Sequence, residues 1–473
     1  MVFSSYNFIL FFIAVYVSYS VIRRFAGVTA CNVWIVAASL FFYGYGSILY
    51  LPLLAATTLA NFLASVLMLR YARRGKIRKL VFSAALALNL GFLLFFKYTG
   101  FFVENLNRLF GTAFLPPGVT LPLGISFFTF QILTYIIGVY QGKTKHGSFL
   151  DFAVFVTFFP KLIVGPLLRY EDMESQLNGG AFMKFDAGNV VNGLTLFSIG
   201  CAKKVLIADT LISHAQGFYD AAFSSGNFFS AWVGVAAYTF AYYFDFSGYI
   251  DMALGLASFF NIKLPGNFNS PYKAVDFADY WRRWNITISE FFNEYIFKRI
   301  FKFGDRSGKM ILAVMATFLV SGIWHGAGWR FIFWGVANGA LVCISNLLTL
   351  RRIKIPHFFA WLFTFFLIML TRVLFDSSGV TQAIYVYRLL FDLRSMFSDA
   401  AAFFSAGAGF IGANPGILLL LAVSAVICFI PKNSNEIVKT GNYKWYHAAL
   451  SGGLLCVSLF FMGGVSNFLY FQF

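Results

Sequence analysis

Residues 80–96 of the chain, LVFSAALALNLGFLLFF, contain no charged side chain and are flanked by Lys79 and Lys97. About 20 apolar residues in a helix span the hydrocarbon core of a membrane. A helix also pairs its own backbone groups, which a lipid environment requires. This stretch therefore predicts a membrane-spanning helix.

Similar apolar runs recur along the whole chain. They predict an all-α polytopic membrane protein with roughly eleven to thirteen membrane segments and short interfacial helices. Some runs are short or contain polar residues, and we expect these to be broken or re-entrant where the backbone is buried in protein. The thirteen clearest runs are Tyr6–Ile22, Asn32–Ile48, Leu51–Leu69, Leu80–Phe96, Leu121–Tyr140, Phe152–Leu168, Val190–Ala208, Ala231–Phe260, Ile311–Ile323, Phe331–Leu348, Phe358–Phe375, Ile417–Phe429 and His447–Met462.

The composition supports the same class of protein. Of the 473 residues, 59% are hydrophobic and 12% are charged, about half the charged fraction of a soluble domain. This excludes a cytosolic multidomain enzyme, a secreted disulfide scaffold and a disordered chain. The five cysteines are widely spaced within apolar stretches and show no metal-ligand spacing, so no metal site is expected.

The net charge of +17 predicts membrane topology rather than nucleic-acid binding, because the basic residues lie in gaps between apolar runs. The gaps after the first, third and fifth runs are basic and those between them are not, which places the N-terminus outside. By the same rule the C-terminus is also outside. The basic stretches assigned to the cytoplasm are Arg23–Arg24, Arg70–Lys79, Lys143–Lys145, Lys273–Lys309, Arg351–Lys354 and Lys432–Lys444.

Residues 276–301, DFADYWRRWNITISEFFNEYIFKRIF, form the least membrane-like part of the middle of the chain. Aromatic and aliphatic side chains recur there at steps of three and four residues, which predicts one helix with an apolar stripe. Tryptophan and arginine on such a helix favour the headgroup boundary of the membrane. An ordinary interfacial anchor accounts for this pattern equally well. The stripe consists of Phe277, Trp281, Trp284, Ile288, Phe292 and Tyr295.

His325 differs from the other histidines. It lies between two apolar runs in the glycine-containing segment SGIWHGAGW, residues 321–329. An ionisable side chain within membrane segments is costly and commonly functional, and a buried imidazole can act as a general base. A structural histidine bonded to a neighbouring helix is the alternative. The other four are expected at loops or interfaces: His146, His214, His357 and His447.

Two further polar groups carry weaker signals. Lys161 and Arg169 lie beside proline and glycine breaks, where an anionic ligand or a kinked helix end would look the same. Asp245 and Asp251 are six residues apart and do not share a helix face. We expect these carboxylates to neutralise the two cations rather than to react.

Several ordered motifs make the chain resemble the membrane-bound O-acyltransferases, specifically the bacterial alginate O-acetyltransferase-like branch. The likeness extends over nearly the whole chain. Its motifs are Met1–Ser5, Leu121–Gln131, Phe158–Pro166, Asp245–Tyr249, Asn269–Tyr272, Trp281–Trp284, Gly322–Ala327 and Tyr470–Phe473.

The resemblance implies roles for two residues. The histidine of the Trp-His-Gly element is the family's proposed catalytic residue, and here it is His325. A second position, usually histidine in this branch, is Asn285 in this chain. Asparagine cannot act as a base, so Asn285 can orient a substrate by hydrogen bonds while proton transfer depends on His325.

The resemblance also implies a function. We expect an acetyltransferase of the bacterial cytoplasmic membrane that takes an acetyl group from cytoplasmic acetyl-CoA and passes it through a central funnel. The acetyl group would modify an extracytoplasmic polysaccharide of the alginate, cellulose or peptidoglycan type, through a separate periplasmic SGNH-type transferase. The predicted substrate- and donor-binding residues are Trp281, Arg282, Arg283, Trp284, Trp324, Lys161, Arg169, Asp245 and Gln131.

One transmembrane domain of residues 1–473 is predicted, with N-terminal spans at 1–120, a catalytic core at 121–350 and C-terminal spans at 351–473. Two other functions fit parts of the pattern. A transporter or flippase of a cell-envelope precursor would also contain broken helices and buried charges, although the chain shows no interrupted segments repeated in two halves. A scaffold that recruits an enzyme would not need His325.

Overall fold

The structure is a computed structural model that describes residues 1–473 except 145–146, 179–180, 303, 395–396, 398–399, 440–444, 464–468 and 470–473. The described residues are largely helical and contain no β-strand. This confirms the predicted all-α class. His146 and the Tyr470–Phe473 motif lie outside the described residues.

The described residues of the first half form eleven α-helices and a π-helical segment, Lys203–Ala208, between the ninth and tenth. In order they are α1 Tyr6–Phe25, α2 Val28–Ser47, α3 Leu51–Arg70, α4 Gly75–Phe110, α5 Ile125–Gln141, α6 Phe149–Thr157, α7 Phe159–Leu162, α8 Tyr170–Asn178, α9 Ala187–Ala202, α10 Asp209–Ser225 and α11 Phe228–Phe259.

The second half begins with short helices and continues with long ones. In order they are α12 Phe277–Arg283, α13 Ile286–Phe292, α14 Lys298–Ile300, α15 Ser307–His325, α16 Trp329–Leu350, α17 His357–Asp376 and α18 Val380–Leu390. Further described helices are Ala400–Ala413, Pro415–Phe429, Ser434–Lys439 and Trp445–Phe461.

Seven helical stretches in the described part of the chain are long and apolar enough to span a membrane, or up to eight if one sharply bent helix pair counts as a span. The protein is therefore a multi-pass membrane protein, with fewer clear spans than the eleven to thirteen predicted. Some apolar runs form helices too short to qualify, such as α5. Others are broken or rich in polar side chains. The seven are Tyr6–Phe25, Val28–Arg70, Gly75–Phe110, Ala187–Phe223, Ser307–His325, Trp329–Leu350 and His357–Asp376.

Helix α11 lies at the centre of the molecule, and its side chains are buried continuously from Ala237 to Ala257. It packs closely against α9 through facing glycines. A Cβ atom at Gly255 would lie 2.6 Å from the carbonyl oxygen of Gly193, and one at Gly248 would lie 2.7 Å from that of Gly200. Small residues therefore allow the two backbones to approach closely, as in other membrane helix pairs.

The run Phe152–Leu168 is broken, as the sequence led us to expect for some runs. Helix α6 ends at Thr157, α7 is a single turn, and the backbone that follows is irregular up to Arg169. Residues 152–168 are buried. Irregular backbone is tolerated here because protein, rather than lipid, surrounds it.

The prediction of a single helix over residues 276–301 is wrong. The chain forms α12, breaks at Trp284 and Asn285, and continues as α13 and a π-helical segment, Asn293–Phe297. Phe277, Trp284, Ile288 and Phe292 are buried in the protein core, so the stripe is not simply an interfacial anchor. A positive φ angle of 43° at Asn285 turns the chain between the two helices.

Helices α15 and α16 form a tight antiparallel pair that fixes the position of His325. A Cβ atom at Gly322 would collide with the carbonyl oxygen of Phe331, and one at Gly335 would lie 2.5 Å from that of Phe318. The connection between the helices contains Gly326, where a side chain would collide with the Phe331 ring. The glycine-rich segment is therefore needed for helix packing.

Candidate active site

His325 is the last residue of α15 and is 6% exposed. The end of this helix is held by a lysine of α4. Lys97 Nζ donates hydrogen bonds to the carbonyl oxygens of Trp324, at 2.6 Å, and of His325, at 3.1 Å. Helix ends leave carbonyl groups without intrahelical partners, and a cation is well placed there. Lys97 therefore fixes the backbone that carries the imidazole.

Three aromatic side chains surround the imidazole ring. Its centroid lies 4.8 Å from that of Trp324, 4.9 Å from that of Trp334 and 5.2 Å from that of Phe375. Edge-on contacts of this kind restrict the orientation of the ring. The ring also borders a cavity of about 500 Å³ that is lined by α12, α13, α15 and α16. His325 is thus fixed beside a space that a substrate can enter.

Asn285 lines the same cavity and is 4% exposed. Asparagine is among the few residues that adopt a left-handed backbone readily. This explains why an asparagine can occupy the turn between α12 and α13. Its Oδ1 atom is buried and has no hydrogen-bond partner among the described residues. Since buried polar atoms are normally paired, a hydrogen-bond donor of a bound substrate, such as a hydroxyl group, would complete the pairing of this oxygen.

Three further predicted residues line the His325 cavity. Trp281 packs against Phe318 and Trp334 with ring-centroid distances of 5.3 and 5.6 Å. Arg282 has a 68% exposed side chain, 3.6 Å from Asp279. Trp284 is buried and forms the wall next to Asn285. The structure therefore brings Trp281, Arg282 and Trp284 together with the two proposed catalytic residues.

The remaining predicted binding residues do not line this cavity. Trp324 packs between His325 and the aromatic residues of α5, and Arg283 pairs with Asp279 at 2.9 Å. Gln131 is buried on α5, and neither atom of its amide group has a partner among the described residues.

The expected pairing of the carboxylates with Lys161 and Arg169 is wrong. Asp245 pairs with Lys204 at 2.6 Å, and Asp251 pairs with Lys203 at 2.7 Å. Both lysines belong to the π-helical segment beside α11, so these carboxylates join that segment to the central helix. These pairs could not be predicted from the sequence, because the partners are far apart in the chain and only the packing of the helices brings them together.

Lys161 and Arg169 have other partners. Lys161 is fully buried, donates to the carbonyl oxygen of Phe155 and lies 4.6 Å from the centroid of the Phe155 ring, so its contacts are within the broken segment. Arg169 is exposed and pairs with Glu294 at 2.6 Å. Neither cation is directed at the His325 cavity.

Arg372 is an important neighbour of the site that the sequence analysis did not single out. This residue of α17 is 3% exposed, and its guanidinium lies 4.2 Å from the Tyr242 ring centroid and 4.6 Å from that of Trp284. It also donates a hydrogen bond to the Tyr280 hydroxyl at 3.1 Å. Arg372 could have been identified from the sequence, because it is a charged residue within the apolar run Phe358–Phe375.

The cavity also contains a polar face on α15 that the sequence could have revealed. Thr317 and Ser321 line it together with His325, at successive steps of four residues. Residues four apart share a helix face. By contrast, His214 and His357 are exposed and do not line this cavity.

The fold and the cavity define a multi-pass membrane protein with a buried histidine beside a cavity, an arrangement suited to group transfer. The sequence model of the membrane-bound O-acyltransferase (MBOAT) family matches residues 122–379, which include both His325 and Asn285. The chain belongs to this family and is an O-acyltransferase. This identity favours an enzyme over the transporter and scaffold alternatives.

Similar bacterial proteins support the assignment over most of the chain. A peptidoglycan O-acetyltransferase of Helicobacter pylori is 34% identical over an alignment that covers 93% of this chain and 91% of the relative. A probable alginate O-acetylase AlgI of Azotobacter vinelandii is 34% identical, with 76% of this chain and 72% of the relative covered. The corresponding protein of Pseudomonas aeruginosa is 32% identical, with 83% and 75% covered.

Proposed function

We propose that this protein takes an acetyl group from cytoplasmic acetyl-CoA and supplies it for O-acetylation of a cell-envelope polysaccharide outside the bacterial cytoplasmic membrane. The observation that carries the proposal is the placement of His325 and Asn285 in one cavity of about 500 Å³. The names of the relatives support acetyl as the transferred group and a glycan of the peptidoglycan or alginate type as the final acceptor.

His325 acts as the general base in this proposal. One imidazole nitrogen accepts the proton of the attacking hydroxyl while the hydroxyl oxygen bonds to the thioester carbonyl carbon. The carbon–sulfur bond then breaks, and the proton passes to the leaving thiolate. Alternatively, an imidazole nitrogen bonds to the thioester carbonyl carbon, the carbon–sulfur bond breaks with release of the thiolate, and the acetyl group then passes from the imidazole to the hydroxyl of the acceptor.

Asn285 stabilises the charge that develops during this step. Its amide N–H can donate a hydrogen bond to the oxygen of the former carbonyl, which becomes negative in the transition state. The left-handed turn holds the amide within the cavity wall and reduces its freedom. A residue that cannot take up a proton is sufficient for this role.

The donor would bind at the mouth of the cavity with its phosphates in water. Arg282 lies there with an exposed guanidinium that can contact a phosphate. The charged part of coenzyme A cannot cross hydrocarbon, so only the acetyl thioester would reach His325. Both chain termini would lie on the extracytoplasmic side of the membrane in this arrangement.

The direct test measures transfer of radiolabelled acetyl groups from acetyl-CoA to a glycan acceptor by protein reconstituted in nanodiscs, with the periplasmic partner added. We expect His325→Ala to lower the rate by ~10²–10⁴-fold, because a positioned general base contributes this much. His357→Ala is the matched control, since His357 is exposed at the start of α17. Wild-type rates in folded His325→Ala protein would contradict the mechanism.

A second experiment tests the predicted SGNH-type periplasmic partner. Acetyl release to a soluble glycan acceptor is measured with the membrane protein alone and with the partner added. We expect esterification of the glycan only when both are present, because the described structure contains no large domain outside the helical bundle. Efficient esterification by the membrane protein alone would contradict the two-protein scheme.

A further inference from the structure

A second large cavity lies between α16 and α17, away from His325. Its volume is about 1030 Å³ and its walls are mainly apolar. Ile344, Phe359 and Phe363 in these walls are each about half exposed or more. The main wall residues are Leu341, Ile344, Leu348, Phe359, Leu362 and Phe363.

Lipid is the expected surrounding of this groove. Both α16 and α17 are among the helices that are long and apolar enough to span a membrane. An exposed apolar groove between two such helices faces acyl chains rather than water. Its shape therefore suits the hydrocarbon part of a lipid molecule.

Three cations lie at the end of the groove where α16 stops. Arg351, Arg352 and Lys354 are exposed, and Lys354 lines the cavity directly. No ion pair involves any of the three within the described residues. The wall also contains one acidic residue, Asp276, whose carboxylate caps α12 by accepting a hydrogen bond from the Asp279 amide at 2.7 Å and keeps its negative charge. Because three cations face this one carboxylate, the end of the groove carries a net positive charge that a ligand can contact.

We propose that this groove is a binding site for a phospholipid with an anionic headgroup. The acyl chains lie between α16 and α17, and the headgroup contacts Arg351, Arg352 and Lys354. Basic pockets at the ends of membrane helices recognise anionic lipids in this way. The apolar groove and the net positive charge at its end together favour this ligand over a zwitterionic lipid.

The groove adjoins the element that carries part of the active site. Val275, Asp276 and Phe277 form its inner wall, and α12 begins at Phe277. The Phe277 amide donates a hydrogen bond to Ser345 Oγ of α16 at 3.1 Å. A lipid in the groove would hold α12 against α16. This consequence for activity rests on the proposed function, but the binding site does not.

Lipid binding is tested by native mass spectrometry of the purified protein titrated with dioleoyl phosphatidylglycerol or dioleoyl phosphatidylcholine. We expect preferential retention of phosphatidylglycerol. The variant R351Q/R352Q/K354Q should bind it roughly a hundredfold more weakly, since each cation near an anionic lipid contributes about a factor of five. Equal retention of the two lipids by the wild-type protein would overturn the proposal.

The matched control is R70Q/R73Q/R74Q, which removes the same charge from the exposed basic residues at the end of α3. These arginines line none of the cavities described above, and we expect phosphatidylglycerol retention to stay as in the wild type. Ile344→Trp fills the groove without changing charge and should also lower retention. Equal losses in both triple variants, or full retention in Ile344→Trp, would contradict a specific groove.

Acetyl transfer in nanodiscs of defined composition separates this proposal from the proposed function. We expect phosphatidylglycerol to raise the rate of the wild-type protein above that in phosphatidylcholine alone, but not the rate of R351Q/R352Q/K354Q. A protein that selects phosphatidylglycerol but transfers no acetyl group would contradict the proposed function and leave the lipid site supported. Acetyl transfer by a protein that does not select phosphatidylglycerol would contradict the lipid site and leave the proposed function supported.

Discussion

Asn285 combines a left-handed backbone with a buried amide, so substitutions must separate these two properties. We expect Asn285→Gly, which tolerates the backbone and removes the amide, to lower the rate of acetyl transfer ~10²–10³-fold. Asn285→Ala should be at least as impaired, because it adds backbone strain. Asn285→His should retain partial activity, since histidine can donate a hydrogen bond. Rates with radiolabelled acetyl-CoA at matched protein levels provide the measurement.

Asn285→Asp provides the sharper comparison at the same position. Aspartate tolerates the left-handed backbone, but its carboxylate cannot donate a hydrogen bond to an oxyanion and would repel it. We therefore expect a lower rate than for Asn285→His. Activity of Asn285→Gly equal to that of the wild type would show that the side chain serves only the turn.

Arg372 acts on the site through Trp284, and we predict a positioning role for it. Arg372→Met removes the charge between the Tyr242 and Trp284 rings and should lower kcat more than tenfold with a smaller change in KM. Arg372→Lys should recover part of the rate, because lysine keeps the charge but loses the planar stacking and the hydrogen-bond geometry.

The control for Arg372 is Arg388→Met, which removes an exposed arginine from the last turn of α18. It should leave both kinetic constants unchanged. If Arg372→Met and Arg372→Lys reduce activity only in proportion to lost folded protein, Arg372 has a structural role alone.

The pair formed by α15 and α16 provides a prediction about helix packing. Gly322→Ala would force a methyl group into the backbone of α16, so we expect destabilisation of about 1–3 kcal/mol together with reduced activity. Gly308→Ala lies on the same helix with no atom within 4 Å of the new methyl group. It should leave the melting temperature unchanged or slightly raised. Thermal unfolding of both variants in nanodiscs tests this, and equal stability of the two would contradict close packing as the reason for Gly322.

The orientation of the whole bundle remains a prediction from its basic loops. In a Cys456→Ser background, which removes the exposed native cysteine among the described residues, a cysteine at Gly75 should react with an impermeant reagent only from the cytoplasmic side. A cysteine at Leu115, which is 91% exposed beyond the end of α4, should react only from outside. Reversed labelling would reverse the proposed direction of acetyl transfer.

The helices themselves follow from local sequence. Most of the apolar runs coincide with helices, because hydrocarbon forces each segment to satisfy its own backbone hydrogen bonds. His325 was also identifiable in advance, since an ionisable side chain between membrane segments is rare and costly. These inferences needed only neighbouring residues and the properties of the membrane.

The tertiary structure decided which of these residues meet. The turn at Asn285 divides a stretch whose periodicity alone indicated one helix. Arg372 of α17 contacts Tyr242 of α11 and Tyr280 of α12. Asp251 and Asp245 pair with Lys203 and Lys204. The sequence had led us to expect Lys161 and Arg169 as their partners. Contacts between residues tens to hundreds of positions apart depend on how the helices pack. The local pattern of a single sequence does not predict that packing.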